Sequence, residues 1–434
     1  MEQTTVKLLY MEVYSHYKTM ILEKKLLPGT KMLSLRKCSK EWNLSRTTIE
    51  NAYLQLAAEG YIISKSQSGY YVTDIAERNH PVKKSFSSDK QHYRYDFASS
   101  GADAESFRFD LWQRYIKSAL RQDERLLSYG EPQGEYDFRE TLCSYIKNHR
   151  NILCTPDSIV VGAGVQSLLQ ILCPLVKDKK NISFPTPEFI QGTTVFDDYG
   201  FEIHYRNKNS DIIYVSPAHM TKWGEIMPVS RRLELIKHAA SRNSLIIEDD
   251  FENEFVYLQK PTPSLFSLAG GQDVVYIGSF SKLLLPSIRI SFMVLPPKIA
   301  KNYKEKAACY NQTASKAEQI ALCQFIRDGH LASQTRRLRR LYASKLSALT
   351  CAVKETFGEN IHIQTGSAGT SIALTFPYTE GSETLIKKAQ DKHLRLSVLR
   401  ETENTVTLIL SCSSMPVKDF LPACQLLRHV LNEN

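Results

Sequence analysis

The sequence contains no apolar run approaching the ~18–20 residues of a membrane-spanning helix. Its longest candidate, Leu168–Val176, is short and carries Gln170. Cysteine gives no framework either: nine residues, an odd number, are scattered without a C-x-x-C pair. Neither a disulfide scaffold nor a structural zinc site is expected, so no metal is assigned. The opening Met-Glu-Gln-Thr-Thr lacks a basic stretch followed by an apolar one, so an export signal is not expected and a cytoplasmic location is. Gly 19 and Pro 17 in 434 residues exclude a collagen-like chain. What remains is 42% hydrophobic and 23% charged, a globular composition on a chain too long for one core.

Positive charge is concentrated at one end. Residues 1–95 hold 15 Lys/Arg against 9 Asp/Glu, an excess of 6 out of the total of 9. A small basic domain attached to a large, nearly neutral one is the pattern of a nucleic-acid reader joined to something else.

Within that basic segment, 6–25 reads as a long helix ended by Leu27-Pro28-Gly29. A shorter helix follows, with Leu35, Cys38 and Trp42 on one face, and Asn43 stands where a left-handed turn is wanted. Ser45 is an N-cap for a third helix, in which Ile49, Ala52, Tyr53, Leu56 and Ala57 repeat with helical spacing up to Gly60. Two β-type runs, 61–63 and 70–72, form a hairpin, or wing. In a winged helix-turn-helix the third helix presents Arg46, Thr47 and Thr48 to the major groove, with Ser45 at its start. Arg36 and Lys65 become backbone contacts, and Gly69 allows close approach at the wing tip. The alternative is a three-helix protein-binding module with solvated basic residues. Residues 1–74 are taken as this domain, 75–95 as a polar, flexible linker, and 96–434 as the large domain.

The large domain alternates strand-like runs (159–161, 181–184, 211–215, 245–247, 274–277, 290–295) with helical patterns (164–176, 230–241, 313–350). That is an α/β layout with a mostly parallel sheet, where ligands gather at strand carboxyl ends. Three such ends stand out. Gly162-Ala163-Gly164-Val165-Gln166-Ser167 runs from a strand into a helix and offers an anion site, or a structural turn. Glu248-Asp249-Asp250-Phe251 ends a buried strand in three carboxylates, readable as a metal site or as helix N-capping. Gly278-Ser279-Phe280-Ser281-Lys282, with Arg289 beyond it, suits an aldehyde-phosphate ligand; an exposed loop lysine is the plainer reading.

The run Pro28-Gly29-Thr30, Ser34-Leu35-Arg36, Leu44-Ser45-Arg46-Thr47-Thr48-Ile49, Glu59-Gly60-Tyr61-Ile62 and Gly69-Tyr70-Tyr71-Val72 resembles the GntR-type winged helix across residues 10–72. The three strand ends together resemble fold-type I aminotransferases, which carry pyridoxal 5′-phosphate (PLP). So do Tyr129-Gly130-Glu131-Pro132-Gln133-Gly134 and Ser216-Pro217-Ala218-His219. Over nearly its whole length the chain is similar to the MocR subfamily of GntR regulators. The resemblance implies a homodimer on an operator in double-stranded DNA and an effector that is PLP or an amino compound. It implies Lys282 as the Schiff-base lysine and Asp249 as partner of the pyridine nitrogen. Gly164, Val165, Gln166, Ser279 and Arg289 would hold the phosphate, Tyr129 would reach the partner subunit's phosphate, and His219 would face the ring oxygen. Phe251 and Phe189 stand where the family has Tyr. The missing Phe251 hydroxyl bears on turnover more than on binding. Arg395 and Arg400 are the candidates for clamping a carboxylate. An active aminotransferase with a DNA-binding head, or a PLP-free regulator that uses the large domain only to dimerise, are the competing expectations.

Overall fold

The computed structural model describes residues 9–65, 68–73, 93–99, 101–103, 105–257, 262–358 and 361–432. The chain divides into two compact units, Met1–Lys90 and Gln91–Asn434.

In the first unit, α1 (Leu9–Leu22), α2 (Leu35–Trp42) and α3 (Arg46–Ala58) precede β1 (Ile62–Lys65) and β2 (Gly69–Val72). The strands pair antiparallel with Ile62 opposite Val72. Hydroxyl caps start both later helices: Ser34 Oγ accepts from the Lys37 amide at 3.3 Å and Ser45 Oγ from the Thr48 amide at 3.1 Å. Asn43 takes the left-handed turn at φ 50°. Val13, Cys38, Ile49, Ala52, Tyr53 and Leu56, all fully buried, form a core of helical spacing. The first helix stops at Leu22, well before Pro28. Lys24 turns left-handed at φ 57°, and the Lys25 and Leu26 amides fold back on the Met20 carbonyl. A C-terminal cap within the sequence thus ends the helix before the proline can.

The expected linker lies mostly outside the described residues. Its last residue, Tyr95, is buried in β3 (Tyr95–Asp96), which pairs parallel with the short strand Leu394–Arg395. An aromatic side chain that packs into the C-terminal core brings the ordered unit inside the polar stretch.

The second unit is built on a seven-stranded sheet. Its strands are β4 (Ile159–Gly162), β5 (Asn181–Phe184), β6 (Glu202–Tyr205), β7 (Ile212–Val215), β8 (Leu245–Asp249), β9 (Val274–Ser279) and β10 (Ser291–Val294), in the spatial order 4-10-9-8-7-5-6. β10 is antiparallel to both neighbours, and the pairs from β9 to β6 are parallel. Alternation sets two cores: Ile246, Val274, Tyr276 and Phe292 face one side, while Leu245, Ile247, Val275, Ile277 and Met293 face the other. Because both faces are covered, the central strands are largely apolar along their length.

The stretch 313–350, expected as one helix, is two: Lys316–Arg327 and His330–Phe357. Gly329 at φ 76° separates them, supplying a left-handed residue at low steric cost. A smaller antiparallel sheet, ordered Ile363–Gln364, Ser371–Pro377, Thr405–Ser411, Ser397–Glu401, carries its own core with the helix Phe420–Asn432. Among the described residues, no helix is long and apolar enough to cross a membrane.

Candidate functional site

The end of β8 and the residue after it distribute three carboxylates by alternation. Glu248, fully buried, accepts from the Leu265 and Phe266 amides at 2.8 and 2.9 Å, so it caps a short helix. Asp250, on the same side, takes the Arg150 guanidinium at 2.5 and 2.9 Å and the Tyr276 hydroxyl at 2.7 Å. Asp249 faces the opposite way and accepts from the Tyr214 hydroxyl at 2.5 Å. Burial pushes its carboxyl up to about 6, with Tyr214 opposing and Asp250 reinforcing. The capping reading therefore holds for Glu248, an ion pair takes Asp250, and Asp249 alone is left on the other face.

The phosphate-type residues converge from neighbouring strands. Gly162, Ser291 and Ser279 lie in one row across β4, β10 and β9. Ser279 Oγ receives the Ser291 hydroxyl at 3.0 Å and the Ser281 amide at 3.3 Å. Gly164, at φ 97°, is the N-cap of the helix Val165–Leu172 and brings no side-chain cap, so the first-turn amides, including those of Val165 and Gln166, point out of the helix end. A Cβ on Gly164 would lie 2.2 Å from Arg289 Nη2, which shows how closely that guanidinium covers the turn. Arg289 itself is left-handed at φ 53°. A positive helix end, a guanidinium and serine hydroxyls form an anion cradle.

Lys282 lies in the chain between Ser279 and Arg289 of this cradle. Its Nζ lies 3.3 Å from Glu252 Oε1, and Glu252 Oε2 lies 3.4 Å from His219 Nδ1. His219 Nδ1 is buried and makes no well-formed hydrogen bond. Burial lowers the affinity of this imidazole for a proton; Glu252 opposes and Lys282 reinforces that effect. His219 also meets the Phe251 ring edge-on at 5.7 Å. Gly369 makes room for the cluster, since a Cβ there would sit 2.9 Å from the imidazole. Phe189 packs at 5.2 Å on Tyr214, beside Asp249. Glu252 is the residue that sequence reasoning missed. It belongs to no recognisable spacing, and its left-handed backbone (φ 56°) is what turns its carboxylate toward Lys282.

Other expected residues lie elsewhere. Tyr129 is fully exposed, and its backbone carbonyl accepts from the Lys316 amine at 3.3 Å. Arg395 pairs with Asp96 at 3.3 Å and Arg400 is exposed on an edge strand, so neither belongs to the Lys282–Glu252–His219 cluster. In the first unit Arg36, Arg46, Thr47, Lys65 and Gly69 are exposed. Ser45 and Thr48 bond each other at 2.7 Å, so these two hydroxyls serve the cap. Lys65 lies 4.6 Å from the Tyr71 ring centre, and Lys31, not singled out by the sequence, lies 5.7 Å from the same ring. Together they make the wing basic.

These features define a winged helix-turn-helix joined to a fold-type I aminotransferase-like unit. Residues 9–72 match "Bacterial regulatory proteins, gntR family" and residues 103–408 match "Aminotransferase class I and II". The chain is 34% identical over 407 residues to "Uncharacterized HTH-type transcriptional regulator YdeL" of Bacillus subtilis (strain 168), covering 89% of this chain and 87% of that one. It is 26% identical over 426 residues to "Probable rhizopine catabolism regulatory protein MocR" of Rhizobium meliloti, covering 90% and 86%. LysN, an alpha-aminoadipate aminotransferase from Thermus thermophilus solved with N-(5'-phosphopyridoxyl)-L-leucine, superposes with TM-score 0.65 at 20% identity, covering 79% and 92%, which speaks to the fold. The chain belongs to the GntR family of HTH-type regulators with an aminotransferase class I and II domain, in its MocR-type branch. The aminotransferase fold is one that binds PLP in its family.

Proposed function

We propose that the chain is a cytoplasmic, homodimeric transcription regulator that binds operator DNA through α3 and the wing, and senses PLP or an amino compound through the large unit. The observation that carries the cofactor reading is the convergence of an anion cradle, a lysine amine and the partly buried, Tyr214-bonded carboxylate of Asp249 at neighbouring strand ends. The donor set suits PLP: Arg289, Ser279 and the amides after Gly164 would take the phosphate, Asp249 would hold a proton on the ring nitrogen, and Lys282 would offer its amine. When bound, PLP supplies an aldehyde for amines and a ring that accepts electrons. His219, whose buried Nδ1 makes no well-formed hydrogen bond, and the Glu252 carboxylate stand beside Lys282. Phe251 offers no hydroxyl there, which favours sensing over steady turnover. Fully exposed Tyr129 fits a residue that serves a second subunit. Effector binding shifts the DNA-binding heads only insofar as it prefers one arrangement of the dimer.

The test is PLP titration of full-length wild type and Lys282→Ala, followed by borohydride reduction and peptide mapping. An adduct on Lys282 that is lost in the variant supports the reading. No adduct, or adducts scattered over surface lysines, leaves a PLP-free dimerisation unit. Sustained conversion of an amino donor with a keto acceptor would instead make it a working aminotransferase.

A further inference from the structure

The helix Tyr136–Arg150 ends in a left-handed Asn151 (φ 54°), and the chain doubles back to bring Cys154 beneath Cys143. Cys154 Sγ donates to Cys143 Sγ at 3.4 Å, with both residues partly exposed. This places two thiols in contact just before the chain enters β4 and the Gly164 turn. We propose that Cys143 and Cys154 are a dithiol modification site that hydrogen peroxide closes into an intrachain disulfide.

The pair is asymmetric in the way such chemistry needs. The Cys154 S–H bond, followed by the charge of Arg139 one turn earlier, favours the Cys143 thiolate over burial and the nearby Glu140. Cys154 is held protonated by the same bond and by burial. Cys143 thiolate attacks one peroxide oxygen; the O–O bond breaks, the leaving hydroxide is protonated to water, and Cys143 becomes a sulfenic acid. Cys154 sulfur then attacks Cys143 sulfur. The S–S bond forms, the S–O bond breaks, and the Cys154 proton leaves with the hydroxyl as a second water. Two thiols are oxidised by two electrons and one peroxide is reduced to two waters. The sulfurs have about 1.4 Å to close to reach a bond of about 2.0 Å, a distance within the reach of side-chain rotation.

The experiment treats the full-length, reductant-free protein with hydrogen peroxide, alkylates remaining thiols and maps peptides without reduction. The expected product is a Cys143–Cys154 link that lacks two hydrogens and reverts with dithiothreitol. In Cys154→Ser, Cys143 remains as a sulfenic acid that dimedone captures; in Cys143→Ser no link forms and Cys154 stays a thiol. Exposed Cys309 and Cys351 are internal references for simple accessibility. The proposal is overturned if those two oxidise while Cys143 and Cys154 are recovered alkylated. It is equally overturned if Cys154→Ser yields no dimedone adduct on Cys143.

Discussion

Replacing Asp249 with Asn is expected to stabilise the cofactor-free protein while weakening its grip on PLP. The wild-type carboxyl is raised from 3.8 to about 6, mainly by burial. The sign follows from linkage. A carboxyl raised in the folded state contributes stability that is present below its unfolded value near 3.8 and is lost as pH climbs through about 6. That gap corresponds to about 3 kcal/mol at 1.36 kcal/mol per pH unit, discounted to about 1–3 kcal/mol because the side chain is not fully enclosed. Asn can still accept from Tyr214 but carries no charge. Melting of PLP-free wild type and Asp249→Asn, followed from pH 4 to 8, should therefore diverge with rising pH. At pH 8 the variant should melt higher by about 2–6 °C, and near pH 4 the two should coincide. In the same preparations PLP affinity should fall, since a neutral amide cannot balance a protonated ring nitrogen. A variant that melts below wild type at pH 8, or a gap independent of pH, would refute the argument.

Other perturbations separate structure from binding. Arg150→Met leaves Asp250 buried with Tyr276 as its remaining side-chain partner and should cost about 3–5 kcal/mol in urea unfolding of the large unit; Asp250→Asn added to it should recover part of the loss. Gly164→Ala combines a positive φ, worth about 1–2 kcal/mol, with a Cβ 2.2 Å from Arg289. Its PLP affinity should drop about tenfold or more, and an unchanged affinity would remove Gly164 from the cradle. Lys65→Ala should weaken operator binding similarly across sequences and lower the salt slope by about 0.9, whereas Arg46→Ala should weaken specific binding at fixed salt.

The sheet was legible where both faces are covered. Continuous apolar runs marked β4, β5 and β7 to β10, but β6 (Glu-Ile-His-Tyr) is a half-exposed edge strand whose polar residues hid it. The head was legible because its caps and turn residues act locally: Ser45 and Asn43 behave as their side chains dictate. Partners far along the chain were not legible. Alternation says that Asp250 and Asp249 face opposite ways, yet nothing local names Arg150, one hundred positions away, as the partner of one. Glu252 escaped because its role depends on a left-handed backbone that an acidic residue seldom adopts.

The division of labour along β8 also makes that strand intolerant of sliding. The three acids at its end are adjacent, so a slip by one residue would turn Glu248 and Asp250 toward the face that Asp249 occupies and strip a capped helix and a buried guanidinium of their counter-charges at once. Apolar neighbours such as Ile246 and Ile247 could exchange faces at modest cost, whereas the charges cannot. The acidic end thus acts as a register key for the middle of the sheet. Single-residue insertions before it should be far more damaging than substitutions among the aliphatic residues that precede it.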